Sequence, residues 1–186
     1  MSNNFSVVIR CKNEERWIGH AIQSVIDHIP NNEIIIVDNN SKDRSLEIAK
    51  SFRKDRDLKG NSEQYTDINI LNIDEYTPGA ALNLGVKNSS YENIIILSAH
   101  CIIKKFNPKK NIKDLDSYAG IFGNQIPYYE GKRINKRYLW KHFTEDSVEN
   151  MYSEMEDRHF FHNAASSFKK NILLEHPFNE KLTGKE

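Results

Sequence analysis

The stretch "NIIILSAHC", residues 93–101, joins the residue types of a buried strand to side chains that do chemistry. Four branched apolar residues run directly into Ser98, Ala99 and His100. In α/β sheets, ligands bind at the carboxyl ends of the parallel strands, which is where these residues fall. A histidine offers hydrogen bonding, a titratable positive charge or metal ligation. We therefore expect Ser98 and His100 to belong to a ligand site.

Polar residues also follow two earlier apolar runs. The run "FSVVIR" (5–10) predicts a buried strand that ends at Arg10, with Lys12 and Glu14 close behind. The run "NNEIIIVD" predicts a second strand that ends at Asp38 and is followed by Asn40. Both runs have the short, β-branched pattern of strands that are buried on both faces. Charged and amide groups thus follow strands at the positions where such sheets bind ligands.

The elements that must position these residues alternate between strand and helix patterns. Apolar residues recur at helical spacing in "EERWIGHAIQSVIDHI" and from 46 to 53, and "TPGAALNLGVKNSS" places Pro and Gly before a small-residue helix. "INILNI" (68–73) predicts the third strand and "NIIIL" the fourth, while the charged segment 53–67 predicts a loop. This alternation implies right-handed crossovers and a mostly parallel sheet covered by helices on both faces.

After Cys101 the pattern changes. The basic "IIKKFNPKKNIKD" predicts irregular structure, "SYAGIFGNQIPYY" a strand interrupted by glycines, and residues 138–157 helical or partly ordered chain. "NAASSFKKNILLEHPF" predicts a small-residue strand that passes into a short helix. We expect one domain over residues 1–186, with a nucleotide-binding half at 1–101 and a substrate-specific half at 102–186.

The composition limits the class of protein. The chain has 186 residues, enough for one domain with a core, and 26 Lys+Arg balance 26 Asp+Glu, which argues against bulk binding of nucleic acid. No apolar run approaches the roughly 20 residues of a membrane span, and the first residues lack a signal-peptide pattern. We therefore expect a cytoplasmic protein whose two cysteines, Cys11 and Cys101, are buried thiols.

Four motifs stand in the order, and at roughly the spacing, of family 2 glycosyltransferases with the GT-A fold. They are "SVVIRCKNEERWIGHAIQSV", "EIIIVDNNSKDRSLEIA", "TPGAALNLGVKNSS" and "NIIILSAHC". The later "HNAASSFKKNILLEHPFNEKLTGKE" resembles the acceptor-side segment of that family, particularly of its rhamnosyltransferase-like members. The resemblance spans nearly the whole chain. It implies transfer of a sugar from a nucleotide donor to an acceptor, usually with inversion at the anomeric carbon.

The resemblance implies that a nucleotide sugar binds at the strand ends. Asp38 would accept hydrogen bonds from a base N–H. Arg10 and Lys12 would meet the base, ribose or phosphates, and Glu14 would hold a hydroxyl. The other positions that match the nucleotide-binding motifs are Asn40, Gly79 and Asn83.

A structural alternative exists for the same residues. The polar group after the second strand has the composition of an Asx-type turn followed by a helix cap. Its members are Asp38, Asn40, Ser41 and Asp43. In the same way, Gly79 serves as a helix start and Asn83 as a packed amide. The spacing of the residues alone leaves both interpretations open.

His100 stands at the metal-binding position of the family. There the family carries Asp-x-Asp, whose carboxylates hold a divalent cation, Mn or Mg, against the diphosphate. Ser98-Ala99-His100 replaces both carboxylates. Three roles stay open: His100 ligates a softer ion such as Mn²⁺, acts on the diphosphate without metal as a hydrogen-bond donor or imidazolium, or is satisfied by backbone partners.

The last residues depart from the family pattern. In the family, "PFNEKLTGKE" is followed by an Asp that acts as the general base and then by a helix. We expect a C-terminally truncated GT-A domain in which Glu186 is the candidate catalytic carboxylate. A terminal residue is poorly held, which predicts weak transfer. Apolar surface that lacks the cover of that helix predicts a homodimer or reduced solubility.

The function expected from these residues is transfer of a sugar to a saccharide or lipid-linked acceptor in surface polysaccharide synthesis. Two other classes stay open. One is a non-catalytic nucleotide-sugar-binding or partner module, which the missing acidic pair favours. The other is a sugar nucleotidyltransferase, which needs a Gly-rich phosphate loop after the first strand. For a lipid-linked acceptor, the lysines between 104 and 113 predict peripheral contact with an anionic membrane.

Overall fold

A computed structural model describes residues 4–53, 67–133, 146–153 and 156–183. The chain divides into two compact units, of which the first comprises Met1–Ile121 and Asn163–Glu186 and the second Phe122–His162. Residues 102–121 thus belong to the same unit as residues 1–101. The division into a nucleotide-binding half and a substrate-specific half stays a prediction.

Strands and helices alternate through the first unit as the sequence predicts. In chain order the elements are β1 (Phe5–Cys11), α1 (Ile18–His28), β2 (Asn32–Asp38), α2 (Ser45–Ser51), β3 (Asp67–Asn72), α3 (Pro78–Lys87), β4 (Asn93–Ser98), α4 (Pro108–Leu115), β5 (Gly120–Phe122), β6 (Tyr128–Tyr129), β7 (Lys132–Arg133), β8 (Tyr152–Ser153), β9 (Arg158–His159), β10 (Ala165–Lys169) and α5 (Lys170–Glu175). Among the helices described, none is both long enough and apolar enough to cross a membrane.

One six-stranded sheet carries the first unit, with the strand order β3-β2-β1-β4-β10-β5. Strand β1 pairs in parallel with β2 and β4, and β2 pairs in parallel with β3. Strand β10 runs antiparallel to β4. Parallel neighbours need crossover connections, which the intervening helices provide. The prediction of an α/β fold with a mostly parallel sheet is therefore confirmed.

The core lies on both faces of the sheet. Successive side chains of β1 alternate between the faces, so that Ile9 packs with Ile22 of α1 on one side. Val8 packs with Leu82 of α3 on the other side. The core residues of these strands are almost completely removed from solvent. Because both faces of these strands are buried, their sequences are continuous apolar runs and do not alternate between apolar and polar residues.

Capping side chains set the starts of two helices. The Thr77 hydroxyl accepts a hydrogen bond from the Ala80 N–H at 3.1 Å, and Pro78 stands at the first helical position. In the same way, Asn107 Oδ1 accepts from the Lys110 N–H at 3.0 Å and Pro108 follows it. The sequence predicts irregular structure for "IIKKFNPKKNIKD". This prediction is wrong where the chain forms α4, Pro108–Leu115.

Helix α4 forms despite its many lysines because it has a narrow apolar face. Ile112 and Leu115 are buried, and Asn111 Nδ2 donates a hydrogen bond to Ser167 Oγ of β10 at 3.0 Å. The lysines lie on the opposite, exposed side of the helix. The basic composition makes this helix hard to recognise in the sequence, because only two buried apolar residues, one turn apart, mark its inner face.

The second unit is built from short antiparallel pairs. Strands β6 and β7 form a hairpin whose turn residues have positive φ, 48° at Glu130 and 76° at Gly131. Strand β8 pairs with β9, and Phe122 meets Phe161 edge to face at 5.0 Å between ring centroids. Of the segment 138–157, residues 146–153 form bends and β8 rather than a helix, and 138–145 lie outside the described residues.

Both cysteines of the chain are thiols, as the sequence predicts. Cys11 is buried in the core and Cys101 is half-buried beside it. Burial raises the pKa of each thiol to about 11. Both side chains are therefore protonated at neutral pH, and they behave as small apolar groups rather than as nucleophiles.

We predict that Gly85→Ala destabilises the fold by about 1–3 kcal/mol through overpacking. A Cβ at Gly85 would stand 2.3 Å from Val8 Cγ1 and 3.4 Å from Val37 Cγ2. Unfolding in urea measures the change in the free energy of unfolding. In a Val8→Ala background, where the opposing methyl groups are absent, the same substitution should cost much less. An equal cost in both backgrounds would show that this contact is not the cause.

Candidate functional site

The carboxyl ends of three parallel strands are level with one another. Arg10 of β1 stands in register with Val37 of β2 and with Ser98 of β4. The next residue of β1, Cys11, is in register with Asp38. This register brings Arg10, Asp38 and Ser98 to one edge of the sheet, where α/β folds bind ligands.

The polar side chains at this edge are divided between the two faces of the sheet, because successive residues of a strand point to opposite faces. Residues two apart in a strand point to the same face of the sheet. Asp38 therefore shares the face of Ile36, which is covered by α1, and Arg10 shares the face of Val8, which is covered by α3. Ser98 follows Ile96 and shares the α3 face. A ligand that crosses the edge of the sheet therefore meets the carboxylate on one side and the guanidinium on the other.

Asp38 is buried and forms an Asx-type turn. Its Oδ1 accepts a hydrogen bond from the Ser41 hydroxyl at 2.5 Å, and its Oδ2 accepts from the Ser41 N–H at 2.9 Å. Within the turn, the exposed Asn40 has a positive φ of 52°, which Asn adopts more readily than most residues. An ionised carboxylate has roughly four acceptor positions, so two bonds leave capacity for a ligand N–H.

The loop after β1 and the loop after β2 are joined by reciprocal hydrogen bonds, which we call the loop lattice. Side chains of the second loop accept from backbone N–H groups of the first, and the first loop accepts from the second. The bonds are Asn13 N–Ser41 Oγ (2.9 Å), Glu14 N–Ser45 Oγ (2.7 Å), Glu15 N–Asp43 Oδ2 (2.9 Å), Lys42 N–Asn13 Oδ1 (2.7 Å) and Arg44 N–Glu15 Oε2 (2.9 Å). The lattice holds the two loops together beside Asp38.

Sequence reasoning missed most members of the loop lattice. Asn13, Glu15 and Ser45 were not among the candidate site residues. Asp43 was considered only as a cap, and in part it has that role, because its Oδ1 accepts from the Ser45 N–H at 3.0 Å where α2 begins. The available signal was the matching run of short polar residues after both strands, "CKNEE" and "DNNSKDRS".

Asp43 is ionised more readily than an ordinary aspartate. Loss of hydration opposes its ionisation, but hydrogen bonds from the Ser45 hydroxyl and from the backbone N–H groups of Glu15 and Ser45 outweigh it and lower the pKa of Asp43. The charged form of this carboxylate therefore stabilises the loop lattice.

His100 is brought to the loop after β1. Its Nδ1 lies 3.6 Å from Oε1 of Glu14, with 61% of the His100 side chain and 25% of the Glu14 side chain exposed. His100 lies in a tight turn directly after β4. The Cys101 N–H closes this turn by donating to the Ser98 carbonyl at 2.9 Å. A carboxylate partner and wide exposure favour the two ligand-binding roles of His100 over the structural one.

The donor set beside His100 fits a transition metal better than Mg²⁺. An imidazole nitrogen and one carboxylate oxygen suit Mn²⁺, whereas Mg²⁺ prefers oxygen ligands throughout. Within the described ranges, no group of three or more His, Cys, Asp or Glu side chains is placed to hold a metal. A cation bound by His100 and Glu14 would therefore need further ligands from a bound diphosphate or water.

The remaining predicted site residues are divided between this site and other parts of the chain. Lys12 is exposed in the loop after β1. Gly79 and Asn83 lie on α3, where they contact the segment 178–180 that follows α5. Glu186 lies outside the described residues, so its role as the catalytic carboxylate stays a prediction.

The chain matches the family model of Glycosyl transferase family 2 over residues 6–180. Because this match covers nearly the whole chain, the protein belongs to glycosyl transferase family 2. The α/β sheet with a polar edge at the ends of β1, β2 and β4 is the GT-A architecture that the sequence motifs predict.

One relative is similar to this chain in sequence, and solved structures are similar to it in fold. The poly-beta-1,6-N-acetyl-D-glucosamine synthase of Staphylococcus epidermidis is 31% identical over 110 residues, which cover 59% of this chain and 24% of that protein. The structure of S. aureus TarS 1-349 in complex with UDP-GlcNAc superposes with a TM-score of 0.68 at 17% identity, covering 98% of this chain and 50% of that one.

A third similar protein is the mannosyltransferase PcManGT from Pyrobaculum calidifontis, in complex with GDP-Man and Mn²⁺. It superposes with a TM-score of 0.58 at 14% identity, over 96% of this chain and 48% of that one. The chain thus spans about half the length of these solved structures and about a quarter of the synthase. At these identities the two solved structures establish the fold.

We predict that Asp43→Asn destabilises the fold by about 1 kcal/mol at neutral pH, through loss of a hydrogen-bonded charge. Because folding lowers the pKa of Asp43, its stabilisation is present above the unfolded pKa of about 3.8 and is lost as the pH falls through the folded pKa. Urea unfolding of both proteins at several pH values should therefore show a difference that narrows in acid. Asp74→Asn, at an exposed acid after β3, is the control. A difference that stays constant with pH would contradict the role of the charge.

Proposed function

We propose that this domain transfers a sugar, with inversion, from a nucleotide sugar to a saccharide or lipid-linked acceptor in surface polysaccharide synthesis. Family membership over residues 6–180 supports sugar transfer. The similarity to a poly-beta-1,6-N-acetyl-D-glucosamine synthase supports a polysaccharide product. The observation that carries the proposal is the polar edge of the sheet, where Asp38 in its turn, Arg10, and the Glu14–His100 pair follow adjacent strands.

The proposed donor site divides the nucleotide sugar between the two sides of this edge. Asp38 accepts from a base N–H with the acceptor capacity that Ser41 leaves unused. Arg10 and Lys12 meet the ribose or the phosphates, since cations bind phosphate oxygens strongly. Asn40, exposed in the turn after Asp38, lies beside the base in this arrangement.

The diphosphate lies at His100 in the same proposal. Two modes of binding are consistent with its contact to Glu14. In the first, His100 and Glu14 would hold a Mn²⁺ ion, which would supply positive charge to offset the charge on the departing nucleotide. In the second, the imidazole itself donates a hydrogen bond or a positive charge to the diphosphate. Ser98, at the end of β4, supports either mode from the neighbouring position.

The acceptor side of the reaction needs a carboxylate. In inverting transfer the acceptor hydroxyl loses a proton as it attacks, and a positioned base typically contributes about 10² to 10⁴ in rate. Glu186 is the proposed base.

The lysines at 104, 105, 109, 110 and 113 are all exposed, and we propose that they contact an anionic membrane surface on the cytoplasmic side. A homodimer is part of the same proposal.

A panel of nucleotides and nucleotide sugars tests the function. Thermal shift, with and without Mn²⁺, detects preferential binding to the folded state. The panel includes UDP-GlcNAc and GDP-mannose, the nucleotide sugars bound in the similar structures. We expect stabilisation by one class of nucleotide sugar, followed by sugar transfer to an oligosaccharide acceptor. Binding without transfer would instead favour a binding module, and consumption of a nucleoside triphosphate with a sugar phosphate would favour a nucleotidyltransferase.

We predict that Asp38→Ala weakens nucleotide binding at least roughly tenfold, which is the effect of losing one hydrogen bond to the base. Calorimetry with the nucleotide selected by the panel measures the affinity. Ser41→Ala is the matched control, because it removes the hydroxyl's hydrogen bonds with Asp38 and with the Asn13 N–H but leaves the Asp38 carboxylate in place. Equal losses in the two variants would mean that Asp38 serves only the turn.

We predict that Mn²⁺ tightens nucleoside diphosphate binding by roughly tenfold in the wild type and not in His100→Ala. The measurement is calorimetric titration with the nucleoside diphosphate at fixed Mn²⁺ concentrations. If His100 acts without metal, His100→Ala should instead weaken binding of the nucleoside diphosphate to the same extent with and without Mn²⁺. Affinity that changes neither with Mn²⁺ nor with the substitution would remove His100 from the diphosphate site.

A further inference from the structure

Helix α3 carries two residues that face the segment 178–180. Gly79 and Asn83 are four positions apart, so they lie one above the other on the same side of the helix. Both are buried. The segment that they contact follows α5 and is separated from Asn83 by 95 positions along the chain.

Asn83 binds the backbone of Phe178 as a second peptide group would. Its Oδ1 accepts from the Phe178 N–H at 3.0 Å, and its Nδ2 donates to the Phe178 carbonyl at 2.9 Å. The second proton of Nδ2 is donated to Oε1 of Glu180 at 2.8 Å. Both protons and the carbonyl oxygen of the amide are thus engaged by the segment 178–180.

Gly79 lets the same segment approach the helix backbone. A Cβ at this position would stand 2.6 Å from the carbonyl oxygen of Asn179 and 2.9 Å from its carbonyl carbon. Backbone atoms cannot move aside as the end of a flexible side chain does. The absence of a side chain at Gly79 is therefore a condition for the contact between α3 and the segment.

An apolar contact fixes the segment from the sheet side. The rings of Phe178 and Phe168 meet edge to face, with 6.1 Å between their centroids and an angle of 90° between their planes. Phe168 belongs to β10, which pairs with β4. The segment is thus held by the helix through polar atoms and by the sheet through an aromatic pair.

We infer that Gly79 and Asn83 are positioning residues for the acceptor side of the transferase and not contacts of the nucleotide. We call Gly79, Asn83 and the segment 178–180 the amide clamp. The clamp fixes the carboxylate of Glu180 and the point from which the chain continues to the proposed base, Glu186, six positions later. The acceptor-side role rests on the proposed function, whereas the clamp itself does not.

Contact with a nucleotide would oppose the observed bonding of Asn83. A ligand acceptor could take an Asn83 N–H only from the Phe178 carbonyl or from Glu180, which would leave a half-buried peptide group or a carboxylate without that partner. The observed bonds give the amide a different role, which is to hold a backbone segment in place. Asn is suited to it because one short side chain supplies a donor and an acceptor in the geometry of a peptide.

The experiment exchanges the partners of the clamp. Asn83→Asp keeps an acceptor for the Phe178 N–H but removes both donors and places a carboxylate beside that of Glu180. Adding Glu180→Gln supplies a new donor to that carboxylate and removes the repulsion. Gly79→Ala displaces the segment by a different route. Asn88→Asp is the matched control, because the Asn88 side-chain amide donates to the Leu84 carbonyl of α3 at 2.9 Å, and no contact given among the described residues joins it to the segment 178–180.

Amide hydrogen exchange over residues 178–182 and the affinity for UDP give the first answers. We expect exchange to rise at least roughly tenfold in Asn83→Asp and Gly79→Ala, to recover in part in the double variant, which still lacks a donor for the Phe178 carbonyl, and to stay unchanged in Asn88→Asp. The affinity for UDP should change less than about twofold in all of them. Unchanged exchange, or a loss of UDP affinity that the double variant does not restore, would overturn the inference.

Transfer assays separate positioning from a merely structural effect. In Asn83→Asp we expect kcat to fall at least roughly tenfold with the KM for the donor unchanged, and to recover in the double variant. A rise in the donor KM at constant kcat would overturn the positioning role. Failure of wild type to bind any nucleotide would count against the proposed function alone, because the exchange measurement reports on the clamp without a ligand.

Discussion

The candidate site depends on the register of three parallel strands. With Arg10 level with Ser98, and Cys11 level with Asp38, the polar residues that end β1, β2 and β4 reach one edge together. A slip of one residue would turn every side chain of a strand to the opposite face, so that Arg10 or Asp38 would change sides of the sheet. The apolar side chains of each strand are packed on both faces, so a slip would disrupt this packing on both sides at once. The core thus specifies where the chemistry is placed.

The loop lattice extends this order beyond the ends of the strands. Loops carry backbone N–H groups that no strand or helix satisfies, and here side chains of one loop accept from the backbone of the other. The arrangement fixes Ser41, which in turn holds both oxygens of Asp38. Loops that are already ordered lose less conformational freedom when a ligand binds. Bonds that have a structural role in the two loops therefore also prepare the proposed nucleotide site.

The sequence reveals the strands of this fold more completely than it reveals the contacts between distant residues. Continuous β-branched runs and helical spacing suffice to predict β1 to β4 and α1 to α3, because these patterns are local. Helix α4 was missed since its apolar face is only two buried residues wide and its lysines dominate the composition. The contact of His100 with Glu14 and that of Asn83 with Phe178 join distant parts of the chain. No local pattern encodes such pairs, and an Asn in a helix looks the same whether it meets a nucleotide or a backbone.

Helix α3 connects the two sides of the proposed reaction. At Gly85 it lies against Val8 and Val37, which precede Arg10 and Asp38 on the strands that carry the proposed donor site. At Gly79 it lies against the backbone of Asn179 on the proposed acceptor side. These two close approaches are six residues apart, or roughly 9 Å along a helix. Since a short helix is rigid over such a length, the position of the segment 178–180 is set relative to the strand ends by α3. A side chain at either glycine would push one partner away from the helix, and so would alter the distance between donor and acceptor groups without touching either of them.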